Sequence, residues 1–500
     1  MNLALREGSA DRAMGLGSIA PAPLSWIKVA PHAPYFVTEH GEAWHPVGQN
    51  DAISWVELNP LFRRKNVQAV ENHLRNLAAH GVTCLRLMLE YAQVRHRYFE
   101  TPVGTWSPNL VRFWDDLFAL CERIGLRILL TPFDTFWTWL HFKHHPYNAG
   151  NGGPLRHPSE LLLSADVRRA IKARLTYVTE RWGGSGALFA WDLWNEIHPA
   201  QGGESAEPFA EFIGDLSDHL RAVETRLYGR SHPQTVSLFG PELQWRSALK
   251  MEKDIFRHPS LDFANLHIYE HGTIDDPANT VDAAISMGRI VRTALGEITD
   301  GRPFFDSEHG PIHSFKDRHK TLPEPFDDEY FRHMQWAHLA SGGAGGGMRW
   351  PNRKPHVLTA GMRREQRSLS RFLPLIDWTR FDRVSLGEPV AFRLDGAPVP
   401  EHQLAQFCSS SPDQAVVYLL RRDCMRPDGR VDRSASPLPL SLRLPRLRSG
   451  TYRVTMWDAA EGKEAGTLMA HLGGDAPAAE LPPLQADVAI ACQASAGEAS

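Results

Sequence analysis

The chain has 500 residues, 42% of them hydrophobic and 22% charged, with a formal net charge of −4. These are ordinary values for a globular protein long enough to hold a large domain plus an accessory module. They leave no basic footprint for nucleic acid, and no apolar run approaches the roughly 20 residues of a membrane span.

Residues 1–25 read as an N-terminal tail. An uncharged stretch from Ala13 to Ile27 is broken by glycines and prolines, which makes a poor signal peptide. The expected location is the cytoplasm, with secretion or a periplasmic site as the alternative. From residue 26 to 376, short apolar strands alternate with amphipathic helices. A hairpin turning at His40-Gly41 leads into a first strand, His45 to Asn50. A helix bearing Val67, Val70, Leu74 and Leu77 follows, stopped by His80-Gly81. Val82 to Leu89 is the second strand, and Leu110, Phe113, Leu117, Leu120 and Ile124 mark the second helix. Leu126 to Phe133 is the third strand. A long loop then runs to Ser164, the N-cap of a helix with Val167, Ile171, Leu175, Val178 and Trp182. The fourth strand is the Trp191 segment, and its helix carries Phe209, Ile213, Leu216, Leu220, Val223 and Leu227. Thr235 to Phe239, Phe263 to Tyr269, the Phe304 segment and a glycine-rich Gly345 to Trp350 supply strands five to eight. Eight such units predict a (β/α)₈ barrel, an α/β TIM barrel. Over 377–500 the helical patterns give way to short β-like runs between Pro, Gly, Asp and Ser, which predict a small all-β sandwich with a frayed tail from Ala494 to Ser500.

Strand C-termini face the catalytic mouth of a parallel barrel, so the polar residues ending apolar runs carry the chemistry. Trp191-Asp192-Leu193-Trp194-Asn195-Glu196 ends in an amide and a carboxylic acid, and Phe304-Phe305-Asp306-Ser307-Glu308-His309-Gly310 ends in a second carboxylate. Two glutamates on the fourth and seventh strands, nearly opposite each other, suit acid/base and nucleophilic chemistry on a glycosidic bond. At ~5.5 Å and an effective dielectric near 20, an ionised Glu308 repels an ionised Glu196 by about 3 kcal/mol. That repulsion would keep Glu196 protonated near neutrality, as a general acid must be. Fifteen tryptophans add flat faces suited to the C–H faces of sugar rings.

Trp-Asn-Glu followed at a distance by Ser-Glu-His-Gly resembles the clan A retaining glycoside hydrolases, the cellulase-like family 5 most nearly. The resemblance implies a retaining β-glycosidase acting on an oligo- or polysaccharide, with Glu308 as nucleophile and Glu196 as acid/base. It implies that Asn195 binds the sugar 2-hydroxyl, that Arg86 keeps the nucleophile ionised, and that Tyr269 donates to it with His267 as pocket neighbour. It also implies that Trp350 is a platform for the sugar at the cleavage position. Arg349 and Asn352 would flank that platform as binders of hydroxyls or of an acidic group. Trp137, Trp139 and Trp106, in predicted loops, are candidates for outer subsites, with loop packing as the alternative. The sequence departs from family 5 in three places: Ile-His-Pro follows the acid/base, the third strand ends in Phe133-Asp134 without a histidine, and His-Gly follows the nucleophile. Asp134 is an additional candidate for a hydroxyl. The chemistry requires no cofactor and no metal; His141, His144 and His145 share a helix-like spacing but read as cleft-shaping residues. A transglycosylase using the same covalent intermediate and a silent carbohydrate-binding protein are the other readings.

The five cysteines are odd in number, with no close-spaced Cys/His cluster, so neither a disulfide framework nor a zinc site follows. Cys84 and Cys121 read as small core residues, and spacing alone leaves a Cys408–Cys424 bridge open.

Overall fold

A computed structural model describes residues 23–91, 97–312 and 321–495. Most of the predicted N-terminal tail and all but the start of the predicted C-terminal tail lie outside them. A three-stranded antiparallel sheet comes first: β1 (Ile27–Val29), β2 (Phe36–Thr38) and β3 (Ala43–Trp44). The predicted hairpin is its β2–β3 arm, and β1 is a strand the sequence pattern did not signal. Phe36 and Trp44 pack their rings on Phe189 and Phe263 at 4.5–5.3 Å. Those two residues lie at the N-terminal ends of barrel strands, so this sheet seals the barrel floor with aromatic surface.

The barrel is one all-parallel sheet. Its strands are β4 (Gly48–Asp51), β5 (Cys84–Met88), β6 (Arg127–Thr131), β7 (Leu188–Asp192), β8 (Gln234–Thr235), β9 (Ser237–Phe239), β10 (Ala264–Ile268), β11 (Phe304–His309) and β12 (Met348–Arg349). Hydrogen bonding follows the order β8-β7-β6-β5-β4-β12-β11-β10-β9. The two ends of that order are separated in sequence by Val236 alone. They are therefore two halves of one broken fifth strand, β8 pairing with β7 and β9 with β10, and the ring closes at eight strands. Continuous apolar runs suit strands buried on both faces.

The helices are α1 (Val67–Ala79), α2 (Pro108–Ile124), α3 (Thr135–Leu140), α4 (Ala165–Trp182), α5 (Pro208–Tyr228), α6 (Gly240–Trp245), α7 (Met251–Phe256), α8 (Asp282–Glu297), α9 (Glu324–Ala340) and α10 (Ala360–Phe372). Ser164 caps α4 by accepting the Val167 amide, as the sequence predicts. The predicted long loop after the third strand contains α3, capped by the Asp134 side chain. The helical layer after the fifth strand is two short helices, α6 and α7. The eighth strand is only two residues long, because the glycines of Gly345-Gly346-Gly347 take turn conformations rather than extended ones. No helix among the described residues is long and apolar enough to cross a membrane.

After α10 the chain forms β13 (Val384–Leu386), β14 (Ala391–Phe392), β15 (Leu404–Ser410), β16 (Gln414–Arg421), β17 (Leu438–Leu442), β18 (Gly450–Asp458), β19 (Lys463–Leu472), β20 (Ala479–Leu484) and β21 (Asp487–Ala494). They build a six-stranded sheet, β13-β15-β16-β21-β18-β19, and a three-stranded one, β14-β17-β20. The two-residue alternation of a strand explains how this module is held. Ala415, Val417 and Leu419 of β16 face the sandwich core, while Val416, Tyr418 and Leu420 join the barrel's core. Tyr418 stacks on Trp336 of α9 with ring centroids 6.0 Å apart. All five cysteines are free thiols, so the Cys408–Cys424 bridge does not form, and Cys84 and Cys121 are buried as expected. Replacing Trp336 with alanine should open a cavity at this seam costing about 3–5 kcal/mol. Scanning calorimetry should record it as a clear fall in melting temperature.

Candidate active site

Arg86, on β5, is the hub of the barrel mouth. Its Nη1 donates to Glu308 Oε2 at 2.8 Å and to Asn50 Oδ1 at 2.9 Å. Its Nη2 donates to Asp192 Oδ2 at 2.9 Å and to Asn195 Oδ1 at 2.5 Å. Asp192 also accepts from Thr131 and from the amide and hydroxyl of Ser237. One network thus ties β4, β5, β6, β7, β9 and β11 together around a fully buried guanidinium.

Glu196 is not on its strand. β7 ends at Asp192, and Leu193 to Glu196 continue as an irregular segment pinned from both sides. Asn195 pairs with Asp134, its amide donating to the Phe133 carbonyl at 2.9 Å. Its side-chain Nδ2 donates to Asp134 Oδ1 at 2.5 Å, and the Glu196 amide donates to Ser237 Oγ at 3.1 Å. Glu196 adopts φ = 51°, a left-handed conformation costing a non-glycine residue roughly 1–2 kcal/mol. Such outliers persist where surrounding bonds dictate them and cluster at functional sites.

His267 and Tyr269 project the same way from the sixth strand, as a two-residue spacing requires. Tyr269 Oη donates to Glu308 Oε1 at 2.8 Å, and His267 Nδ1 lies 2.7 Å from Glu196 Oε1. His267 Nε2 meets Ser307 Oγ at 3.1 Å. Gly310 is required here, since a Cβ would meet the Tyr269 ring at 2.7 Å. A carboxylate oxygen of Glu196, one of Glu308 and a ring nitrogen of His267 lie within 4.8 Å of one another. Among the described residues this is also the one set of donors close enough to hold an ion. The hydrogen bond between Glu196 and His267 turns two of the three toward each other.

Four carboxyl groups, those of Asp134, Asp192, Glu196 and Glu308, share this buried space with Arg86 as the one guanidinium at their centre. Burial pushes Glu196 well above the usual carboxylate range, with repulsion from Glu308 and Asp134 adding to it. Desolvation is thus the larger cause, and the charge of Glu308, the cause expected from sequence, is the second. Burial also raises Glu308, to about 7, against the opposing pull of Arg86 and the Tyr269 hydroxyl. Asp134 rises to about 6 for the same reason. His267 is driven well below its usual range by burial and by Arg86, so it stays neutral. Glu308 therefore ionises before Glu196.

Trp350 follows β12 directly, half-buried. It packs edge-on against Trp55 at 5.0 Å and tilted against Tyr91 at 6.2 Å, and Trp137 meets Tyr91 at 5.8 Å. The four rings form an aromatic arc, and its Tyr91 lies close enough to Glu308 and Asp134 to feel their charge. Trp106 falls outside it, stacked on Tyr177 of α4 at 4.7 Å, which is packing. Trp139 lies on α3 against His157. Arg349 is fully buried, bonded to the Gly310 carbonyl and to Asp327, and Asn352 donates to the Pro311 carbonyl. Both hold loops rather than flank the platform as expected. His145 is buried near Glu90, and His141 stacks on Trp137, so these histidines shape the wall around α3. Sequence reasoning passed over Asn50, Asp192, Ser307, Trp55 and Tyr91. Asp192 ends β7 and Asn50 is the last but one residue of β4, which was the available signal.

No family model and no curated protein matches the sequence. Among solved structures the fold is similar to a chain described as a glycoside hydrolase, at TM-score 0.62 and 12% identity over 95% of this chain and 98% of that one. It is also similar to a glycoside hydrolase family 5 structure from Bacteroides vulgatus ATCC 8482, at TM-score 0.60 and 13% identity over 95% and 94%. At these identities the likeness is one of fold, and it extends through both the barrel and the C-terminal sheets.

Arg86→Met should destabilise the protein by about 3–5 kcal/mol at neutral pH, because it leaves buried carboxylates uncompensated. Asp192 and Glu308 have folded-state pKa values above their ordinary ones. Their protonated forms are thus tolerated in the fold, and the penalty should grow as pH rises through their titration. Urea denaturation at pH 5 and pH 8 should show the smaller loss at pH 5.

Proposed function

We propose that the protein is a retaining glycoside hydrolase that cleaves a β-glycosidic bond in an oligo- or polysaccharide. The carrying observation is the close approach of two carboxyl groups of unequal acidity. Their nearest oxygens, within 4.8 Å, match the roughly 5–5.5 Å separation of a nucleophile and acid/base pair. An inverting pair, which holds a water between its carboxyls, stands wider, at roughly 6.5–9.5 Å.

Glu308, the first of the two to ionise and held by Arg86 and Tyr269, attacks the anomeric carbon. The bond to the leaving oxygen breaks as that oxygen takes the proton of Glu196, giving a glycosyl ester on Glu308. Glu196, now a carboxylate, takes a proton from water. The water oxygen attacks the anomeric carbon and releases Glu308. Asn195 has one Nδ2 hydrogen committed to Asp134, and its second is the one we assign to the sugar 2-hydroxyl. Trp350 and Trp137 supply apolar faces for sugar rings. The intact pair, with its Arg86 and Asn195 support, favours catalysis over a silent binding protein.

Incubation with 2-deoxy-2-fluoro glycosides of gluco, manno, galacto and xylo configuration should leave one covalent adduct by intact mass, mapping to Glu308. Glu196→Ala should slow cleavage of substrates with poor leaving groups by about 10²–10⁴-fold, and added azide should restore turnover of dinitrophenyl glycosides. Labelling at another residue, or full turnover by Glu308→Ala, would sink the assignment. The pH profile of kcat/KM should climb as Glu308 loses its proton near 7 and fall at higher pH as Glu196 loses its own.

A further inference from the structure

Trp245, the last residue of α6, is 70% exposed, the most exposed of the large hydrophobic side chains among the described residues. A single exposed ring is ordinary on a protein surface, but this one sits on the helix that directly follows the fifth barrel strand, at the face where strand C-termini open. Three observations point to its role. First, the ring continues a line of aromatics out of the site. Tyr269, bonded to Glu308, packs on Phe239 at 5.7 Å, and Phe239 packs on Trp245 at 6.2 Å.

Second, α6 is clamped to the segment that carries Glu196. Two residues beyond Glu196, His198 Nε2 lies 3.3 Å from Glu242 Oε1 of α6. Glu242 also binds Arg246 at 2.9 Å, and Arg246 reaches Glu204 at 2.8 Å. Third, α6 starts hard against the strand bearing His267. A Cβ at Gly240 would meet the His267 carbonyl oxygen at 2.6 Å. The helix is thus fixed beside the segment that carries Glu196.

We infer that Trp245 is a stacking platform for a sugar ring on the leaving-group side of the scissile bond, where an acceptor sugar would also sit. The inference rests on the proposed hydrolase reading, since the side of the cleft is named by the residue that protonates the leaving group. Because a dinitrophenyl leaving group has no second sugar, Trp245 should matter most when the leaving group is a saccharide.

The test compares Trp245→Ala and Trp245→Phe with the unaltered protein on two substrates of the configuration that labels Glu308: the dinitrophenyl glycoside and the β-linked tetrasaccharide. The ratio of kcat/KM for the tetrasaccharide to that for the aryl glycoside should fall about tenfold in Trp245→Ala, the order expected for one lost ring-stacking contact. Phenylalanine should restore most of it. Binding of the tetrasaccharide should also quench tryptophan fluorescence in the parent and less so in the alanine variant. An unchanged ratio, with either equal losses or none on both substrates, would overturn the platform while leaving the hydrolase reading intact. A parent protein that neither labels, cleaves nor binds any of these sugars would overturn both.

Discussion

One buried positive charge governs this barrel mouth. A guanidinium without water is tolerated only when carboxylates and carbonyl-type oxygens surround it, and Arg86 finds Asp192, Glu308, Asn50 and Asn195. Its charge cannot neutralise every carboxyl nearby. The imbalance is resolved by protonation, with burial as the larger cause and the pull of Arg86 opposing it. Asp192 and Glu308 touch Arg86, whereas Glu196 does not and faces other carboxyls. The unequal acidity of the two glutamates thus follows from burial that the Arg86 ion pair offsets at Glu308 and that repulsion from Glu308 and Asp134 reinforces at Glu196. Asp192 has no direct role in the bond exchange we propose, yet it fixes the guanidinium's plane and so the position of Glu308.

Much of this was legible in the sequence because barrel strands have an unusual signature. They are apolar on both faces, short, and end in polar residues, so Glu196 and Glu308 stood out where a carboxylate on a helix would not. The alternation rule places His267 and Tyr269 on the same face from their spacing alone. What escaped has physical reasons as well. Val236 breaks the fifth strand without any glycine or proline to announce it. The short helices α6 and α7 have too few turns to show a period. Asn50 and Asp192 act by bonding across strands distant in sequence, as in the Arg86–Glu308 contact, which no local pattern encodes. For Trp106 the sequence leaves a sugar platform and loop packing both open, and for Arg349 it suggests a hydroxyl or an acidic group, because these residue types suit sugars. Packing on Tyr177 and bonding to Asp327 consume them instead.

The same economy of faces organises the rest of the chain. The floor of the barrel is closed by rings from the N-terminal sheet, and the outer wall at α9 is closed by alternate residues of β16. A strand that serves two cores at once has no free face, which explains why β16 is buried along its whole length. The sandwich is therefore a structural continuation of the barrel through Tyr418 and Trp336. Its buried Asp487 bonds both Tyr418 and Arg332 of α9, adding a polar clamp to the apolar seam.

Glu196 illustrates how position is achieved away from regular structure. A residue at the tip of a strand inherits its direction from the sheet, as Glu308 does from β11. Glu196 lies four residues past β7 and must be aimed by other means: the Asn195–Asp134 pairing, the Ser237 hydroxyl on its amide, and His267 on its carboxyl. These contacts come from the third, fifth and sixth strand units and hold a left-handed backbone that the residue would otherwise avoid. They also turn the following segment so that His198 meets α6. Strain at Glu196 and the placement of α6 beyond it are thus two ends of one constraint, and the shape of that side of the barrel mouth is set by how Glu196 is held.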